Sequence, residues 1–213
     1  RHMCSIYDVV RIDHFRGFAG YYAIPYGNKT AEGGRWRTGP GYALFAAIKK
    51  KLGEPRIIAE DLGFLTDDVN ALLRKCGYPG MKVLEFGFDS RDGGDYRPHG
   101  YPVNSIAYVG THDNEPVNGW MATAAPEDVA RAVRYLNLTK QEGYHWGMMR
   151  GIWASAAELS IVQDLLGLGH EARMNTPSTL GGNWCWRAKR GAFNDRLAVK
   201  LHDLTELYGR LPE

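Results

Sequence analysis

Hydrophobic and polar positions along the chain fall into two alternating kinds of segment. Short runs rich in β-branched or apolar residues occur at 8–12 (Asp-Val-Val-Arg-Ile), 56–59 (Arg-Ile-Ile-Ala), 81–86 (Met-Lys-Val-Leu-Glu-Phe) and 105–109 (Ser-Ile-Ala-Tyr-Val), with a weaker one at 171–174 (Glu-Ala-Arg-Met). Such runs predict strands. Between them, apolar residues spaced by three and four predict helices over 42–52, 66–76, 126–135 and 145–159, and a last one over about 194–208. Thr66 is a candidate cap for the second of these, with Asp67 and Asp68 in its first turn, where carboxylates favour the positive end of the helix.

Strands that alternate with helices pair in parallel, because each crossover needs a covering helix, so the fold class is α/β. The choices are a doubly wound sheet or a (β/α)8 barrel. A complete barrel takes about 250 residues. Here 213 residues carry five strand candidates and long connections at 19–40 and 89–104. If the fold is a barrel, about five of the eight strands are present. The paired glycines at 33–34, 93–94 and 181–182 are too short to link domains, so residues 1–213 are expected to form one partial barrel domain with no second domain.

Composition removes several function classes. With 44% hydrophobic and 23% charged residues, the chain can bury a substantial core. Lys plus Arg number 26 against 24 Asp plus Glu, a formal charge of +2, and the longest basic run is Lys49-Lys50-Lys51. Nucleic acid is therefore not expected as a partner. Cys4, Cys76 and Cys185 are odd in number, far apart and without histidines at ligand spacing, which argues against a disulfide framework and a zinc site and for a reducing compartment. No stretch approaches the roughly 18 apolar residues of a membrane span, so no membrane partner and a cytoplasmic location are expected.

Three carboxylates follow strand candidates directly: Asp13 after Arg11-Ile12, Glu60 after Ile57-Ile58-Ala59, and Asp113 within Gly110-Thr111-His112-Asp113-Asn114. Parallel α/β folds bind ligands at the carboxyl ends of their strands. Retaining glycoside chemistry needs a carboxylate nucleophile and a second carboxyl group about 5–5.5 Å away that first gives and then takes a proton. Asp13 and Glu60 are candidates for that pair. Arg11 lies two residues before Asp13, on the same strand face, placed to hold the nucleophile charged. Ile57, Ile58 and Ala59 give Glu60 an apolar approach suited to a proton donor, although Asp61 is an alternative acid. His112 and Asp113 are hydrogen-bonding groups suited to sugar hydroxyls near the carbon where charge develops.

RIDHFRGF at 11–18, IIAEDLG at 57–63, PHGYPVNSIAYVGTHDN at 98–114 and RMNTPSTLGGNWCWR at 173–187, in this order, resemble the 4-alpha-glucanotransferases. This is the amylomaltase or disproportionating-enzyme family, glycoside hydrolase family 77, related to the α-amylases. The resemblance implies a (β/α)8 barrel enzyme that cuts an α-1,4-glucan, keeps the donor piece as a covalent glycosyl ester and passes it to the 4-hydroxyl of another glucan. It implies no metal and no organic cofactor. By motif, Asp13 matches the nucleophile, Glu60 the general acid/base and Asp113 the transition-state stabiliser, with Arg11 and His112 as supporting residues. His14, Asp89, His99 and Asn175 match glucan-contacting positions. Trp184 and Trp186 offer flat faces for glucose rings. The implied partners are α-1,4-glucans: maltooligosaccharides, amylose, starch or glycogen.

Two local departures accompany the resemblance. Glu115 and Pro116 follow the His-Asp-Asn step where the family usually has Asp and Thr, and Ser178 stands where Gly is commoner. Glu115 keeps the charge, and Pro116 suits the first turn of a following helix. The family's amino-terminal strands have no counterpart ahead of position 1, so the resemblance covers its carboxyl-terminal portion and a missing N-terminal barrel segment is an expected partner. Two other readings stand beside glucan transfer: an α-amylase-type glucan hydrolase, in which water replaces the acceptor, and a non-catalytic glucan-binding fragment. Gly167-Leu168-Gly169-His170-Glu171-Ala172 matches a loose dinucleotide fingerprint, but a helix is expected before it and a strand after it, the reverse of the required order. A barrel lacking strands leaves an unpaired edge at 8–12, so the isolated chain is expected to be unstable or to self-associate. A monomeric sample melting in one cooperative thermal transition would contradict this.

Overall fold

The computed structural model describes residues 1–63, 65–91, 96–157, 159–161 and 164–212, the side chains of 159–161 excepted. The chain divides into two compact units, Arg1–Met81 and Lys82–Glu213.

In the first unit a short exposed helix α1 (His2–Ile6) precedes strand β1 (Val10–Ile12). A 3-10 turn (Phe15–Phe18) leads into β2 (Gly20–Ala23) and β3 (Arg35–Thr38), which pair antiparallel with Tyr22 opposite Trp36. Helix α2 (Tyr42–Leu52), strand β4 (Ile57–Ala59) and helix α3 (Asp67–Cys76) follow. β1 and β4 pair in parallel, Val10 with Ile57 and Ile12 with Ala59. All three β4 residues are buried, as a strand covered on both faces requires. The core is aromatic: the Phe15 and Phe45 rings lie 5.2 Å apart, Phe45 meets Tyr78 edge-on at 5.7 Å, and Ala59, Val69 and Leu72 close around them.

Thr66 does occupy the cap position of α3, but its hydroxyl donates to Asp68 at 2.5 Å rather than accepting from a helix N–H. The other end is finished by Gly77 at φ 73°, a left-handed residue whose N–H reaches the Leu73 and Arg74 carbonyls.

The second unit holds a sheet of order β5-β6-β7, made of β5 (Gly80–Val83), which starts at the end of the first unit, β6 (Ser105–Tyr108) and β7 (Leu159–Ile161). β6 and β7 are parallel, with Ile106 opposite Leu159. Helices α4 (Val117–Thr123), α5 (Pro126–Leu136), α6 (Tyr144–Trp153) and α7 (Asp195–Leu207) complete it. Leu84, Phe88, Val109, Val117, Met148 and Ile152 are fully buried in its core. The Asn194 side chain caps α7 by accepting from Leu197 N–H at 3.0 Å.

The fold is thus mixed α/β with parallel pairs, and the described residues hold seven strands in three sheets, the antiparallel hairpin of β2 and β3 being additional to the strand candidates read from the sequence. The run at 171–174 is no strand. His170–Ala172 forms a 3-10 turn, and strand β7 lies ahead of it. The helix expected over 145–159 stops at Trp153, leaving Leu159 to begin β7. Residues 84–88 leave β5 as a 3-10 turn (Leu84–Phe88). Within the connection at 19–40, β2 and β3 form a hairpin with mostly exposed positions, so no alternating apolar pattern marks it. Its Tyr22 and Trp36 rings meet edge-on at 5.6 Å, and Arg16 lies over Trp36 at 5.0 Å. Among the described residues, no helix is long and apolar enough to cross a membrane.

At the foot of this hairpin, Gly39 N–H donates to the Ala19 carbonyl at 2.9 Å. A Cβ on Gly39 would lie 2.3 Å from the Phe18 carbonyl oxygen, a backbone atom that cannot swing away. Replacing Gly39 with Ala should cost about 1–3 kcal/mol of stability, read as an earlier denaturant midpoint with unchanged slope.

Candidate active site

In the first unit the ladder between β1 and β4 continues past the strand ends. Glu60 N–H donates to the Ile12 carbonyl at 2.9 Å, and Phe15 N–H donates to the Glu60 carbonyl at 2.9 Å. Asp13 and Glu60 follow the aligned pair Ile12 and Ala59, so their side chains leave the sheet on the same face, from strands about 4.8 Å apart. Arg11 ion-pairs with Asp13 at 2.7 Å, as their shared face predicts, and its Nε donates to the Met81 sulfur at 3.2 Å.

Both Glu60 oxygens are held by main chain: Leu62 N–H donates to Oε1 at 2.8 Å and His14 N–H to Oε2 at 2.7 Å. His14 reaches Glu60 from a left-handed conformation, φ 49°. Non-glycine residues adopt that region rarely, histidine more often than most. Asp61 points to the opposite side, buried, where it accepts Met81 N–H at 2.6 Å. Its carboxylate serves the structure.

In the second unit the turn after β6 meets the segment 173–184. The Asn175 amide donates to the Asp113 carboxylate at 2.6 Å, and His112 lies 3.4 Å from the same oxygen. Asn175 N–H donates to the His112 carbonyl at 3.0 Å, and Trp184 N–H to the Met174 carbonyl at 2.7 Å. The His112 ring lies 5.0 Å from that of Trp184, which is itself 62% exposed. His112, Trp184, Trp186 and Phe193 border an apolar cavity of about 300 Å³. Four of the expected residues, His112, Asp113, Asn175 and Trp184, are therefore gathered in one place.

Asp89 shares a second cavity, of about 480 Å³, with Asp113. Its carboxylate is taken up by Arg91 at 2.7 Å, whose hydrogen bonds hold it down at about 2. His99 is engaged elsewhere: its Nδ1 lies 2.8 Å from the Tyr135 hydroxyl on α5. Ser178 has φ 63°, a conformation that glycine adopts freely, which is a physical reason for the family's glycine there.

Sequence reasoning missed two residues of this second cavity. Arg173 donates to the Asp113 carbonyl at 2.7 Å and to Glu115 at 2.5 Å. Glu85, two residues past β5, is 3% exposed, and its Oε1 has no hydrogen-bond partner among the described residues. Burial pushes its carboxyl well above the usual range; Asp164 and Glu115 push the same way and Arg173 pulls against them. The sequence hid Glu85 inside the strand candidate at 81–86; only with β5 ending at Val83 does it become a carboxylate just past a strand, like Asp13 and Glu60.

Because native Glu85 keeps a proton that the unfolded chain releases above its ordinary value of 4.5, wild-type stability falls as the pH rises from there towards the folded-state value. Glu85→Gln has no such proton to lose. Its melting temperature relative to wild type should rise steadily across that window, and a difference independent of pH would refute the assignment.

A family model described as 4-alpha-glucanotransferase, glycoside hydrolase family 77, matches residues 1–193. The 4-alpha-glucanotransferase of Clostridium butyricum is 50% identical over 97% of this chain and 43% of its own length, and that of Thermus thermophilus is 42% identical over the same shares. Among solved structures, amylomaltase from Streptococcus agalactiae in complex with acarbose superposes with a TM-score of 0.91 at 40% identity, over 99% of this chain and 43% of that one. Amylomaltase from Corynebacterium glutamicum, at 21% identity and a TM-score of 0.65, shares the fold over 85% of this chain and 32% of its own. The chain spans about 43% of the length of the bacterial relatives it matches. By the family match and the shared architecture, it belongs to the 4-alpha-glucanotransferases of glycoside hydrolase family 77.

Proposed function

We propose that this chain carries the carboxyl-terminal part of a (β/α)8 catalytic domain, to which both compact units belong, and that the domain transfers α-1,4-glucan segments to the 4-hydroxyl of an acceptor glucan or glucose. The observation that carries the proposal is the aligned exit of Asp13 and Glu60 from two neighbouring parallel strands. Two carboxylates leaving one face of neighbouring strands support the closely spaced pair that a retaining mechanism needs.

In this reading Asp13 attacks the anomeric carbon of the donor, and Glu60 gives a proton to the departing glycosidic oxygen. The bond to the leaving chain breaks as the Asp13 ester forms. Glu60, now a carboxylate, takes the proton of the acceptor's 4-hydroxyl, whose oxygen attacks the same carbon and frees Asp13. Two inversions leave the configuration unchanged.

Arg11 fixes the Asp13 carboxylate by its 2.7 Å ion pair, while the His14 and Leu62 N–H groups set the plane of Glu60 and leave each oxygen a further lone pair for the travelling proton. Asp113 is assigned to stabilise the transition state through ring hydroxyls, with Asn175 and His112 orienting it. Trp184 offers its exposed face to a glucose ring, with Asp89, His99 and His14 as further glucan contacts. Maltooligosaccharides, amylose, starch or glycogen are the proposed donors. Cys4, Cys76 and Cys185 all stand unpaired, which supports the proposal of a reducing, cytoplasmic setting.

Incubation of the chain, with whatever sequence flanks it in its natural protein, with maltotriose tests this. Glucose together with products longer than maltotriose is expected, and Asp13→Asn should lower the rate on the order of 10³-fold or more. Glucose and maltose without longer products would replace transfer by hydrolysis.

A further inference from the structure

Arg173 stands where the two halves of the Asp113 cluster meet, and its side chain, 21% exposed, gives one hydrogen bond to them from each guanidinium nitrogen. Nη2 donates to the Asp113 carbonyl at 2.7 Å, Nε to the Asn175 carbonyl at 3.0 Å and Nη1 to the Glu115 carboxylate at 2.5 Å. The first two acceptors are the main-chain oxygens of the residues whose side chains share the 2.6 Å bond from Asn175 to Asp113. One planar group therefore fixes the backbone on both sides of that bond. The third acceptor answers its charge and is itself anchored, since His170 Nδ1 lies 2.9 Å from the same Glu115 oxygen.

From this geometry we infer that Arg173 is a positioning residue for Asp113, a clamp that sets the direction of its carboxylate through the main chain at 113 and 175. The inference rests on the proposed transfer reaction and deepens it. A guanidinium spans three divergent acceptors with donors in a fixed plane, whereas the ammonium of lysine is a single compact centre on a flexible stem. Charge alone therefore does not replace it. A shift of about 1 Å in a group that acts only at the transition state costs about 100-fold in rate. Substrate held by other residues binds as before.

The test uses Arg173→Lys and Arg173→Ala in the chain with its natural flanking sequence, assayed with maltotriose, with and without millimolar ethylguanidinium. Arg173→Lys should lose about 100-fold in kcat with KM within about threefold. Ethylguanidinium should return about tenfold or more to Arg173→Ala, saturating with concentration, and return nothing to Asp113→Asn. A kcat retained in Arg173→Lys would overturn the inference, as would a loss in Arg173→Ala that ethylguanidinium leaves untouched. Should the unsubstituted protein transfer no glucan, the reaction reading fails by itself. The clamp is then judged from amide exchange over 111–115 and 173–184, which Arg173→Ala should quicken and ethylguanidinium slow; exchange indifferent to ethylguanidinium would refute it.

Discussion

The first unit depends on one short piece of parallel ladder. Three residues of β1 lie against three of β4, and the hydrogen bonds run on for two more steps through Glu60 N–H and Phe15 N–H. Because side chains alternate along a strand, this register decides which residues leave on the side of Asp13 and which turn into the core. A slip by one residue would exchange Glu60 with Asp61, sending a buried structural carboxylate to the open face.

Around the ladder, apolar packing and polar anchoring divide the labour. Phe15 sits one residue past His14 and is fully buried against Phe45, so the aromatic core pins the turn that delivers the His14 N–H to Glu60. The second unit arranges its carboxylates differently. Asp113 and Glu115 are fixed mainly by charged and amide donors from the segment 173–175, beside an apolar core that includes Val109 and Val117. Near them, Glu85 and Asp164 are buried carboxyls whose pKa values burial pushes upward.

What could be read from the sequence follows from this division. Helices α2, α3, α5 and α7 announce themselves because packing imposes a period on their apolar residues, and strands β4 and β6 because they are short, continuously buried runs. The carboxylates at strand ends were equally legible, since position after an apolar run is a local property. The hairpin of β2 and β3 was not: its residues are largely exposed and its stability comes from cross-strand pairs such as Tyr22 with Trp36, a relation between distant positions. The run at 171–174 misled because Ala172 and Met174 alternate with charged neighbours, whereas Arg173 is drawn out of any strand by Glu115 and by the Asp113 carbonyl. Its role needed coordinates, because its partners lie 58 and 60 residues away.

The left-handed turn at His14 carries a further implication. The group it supplies to Glu60 is an amide proton, common to every amino acid except proline, so this contact leaves no signature in residue identity. Truncating the imidazole would probe only whatever the ring itself touches and would leave the main-chain bond standing. Part of the machinery around the acid/base carboxylate is thereby written in backbone shape, where side-chain scanning and residue-by-residue comparison of relatives both pass over it.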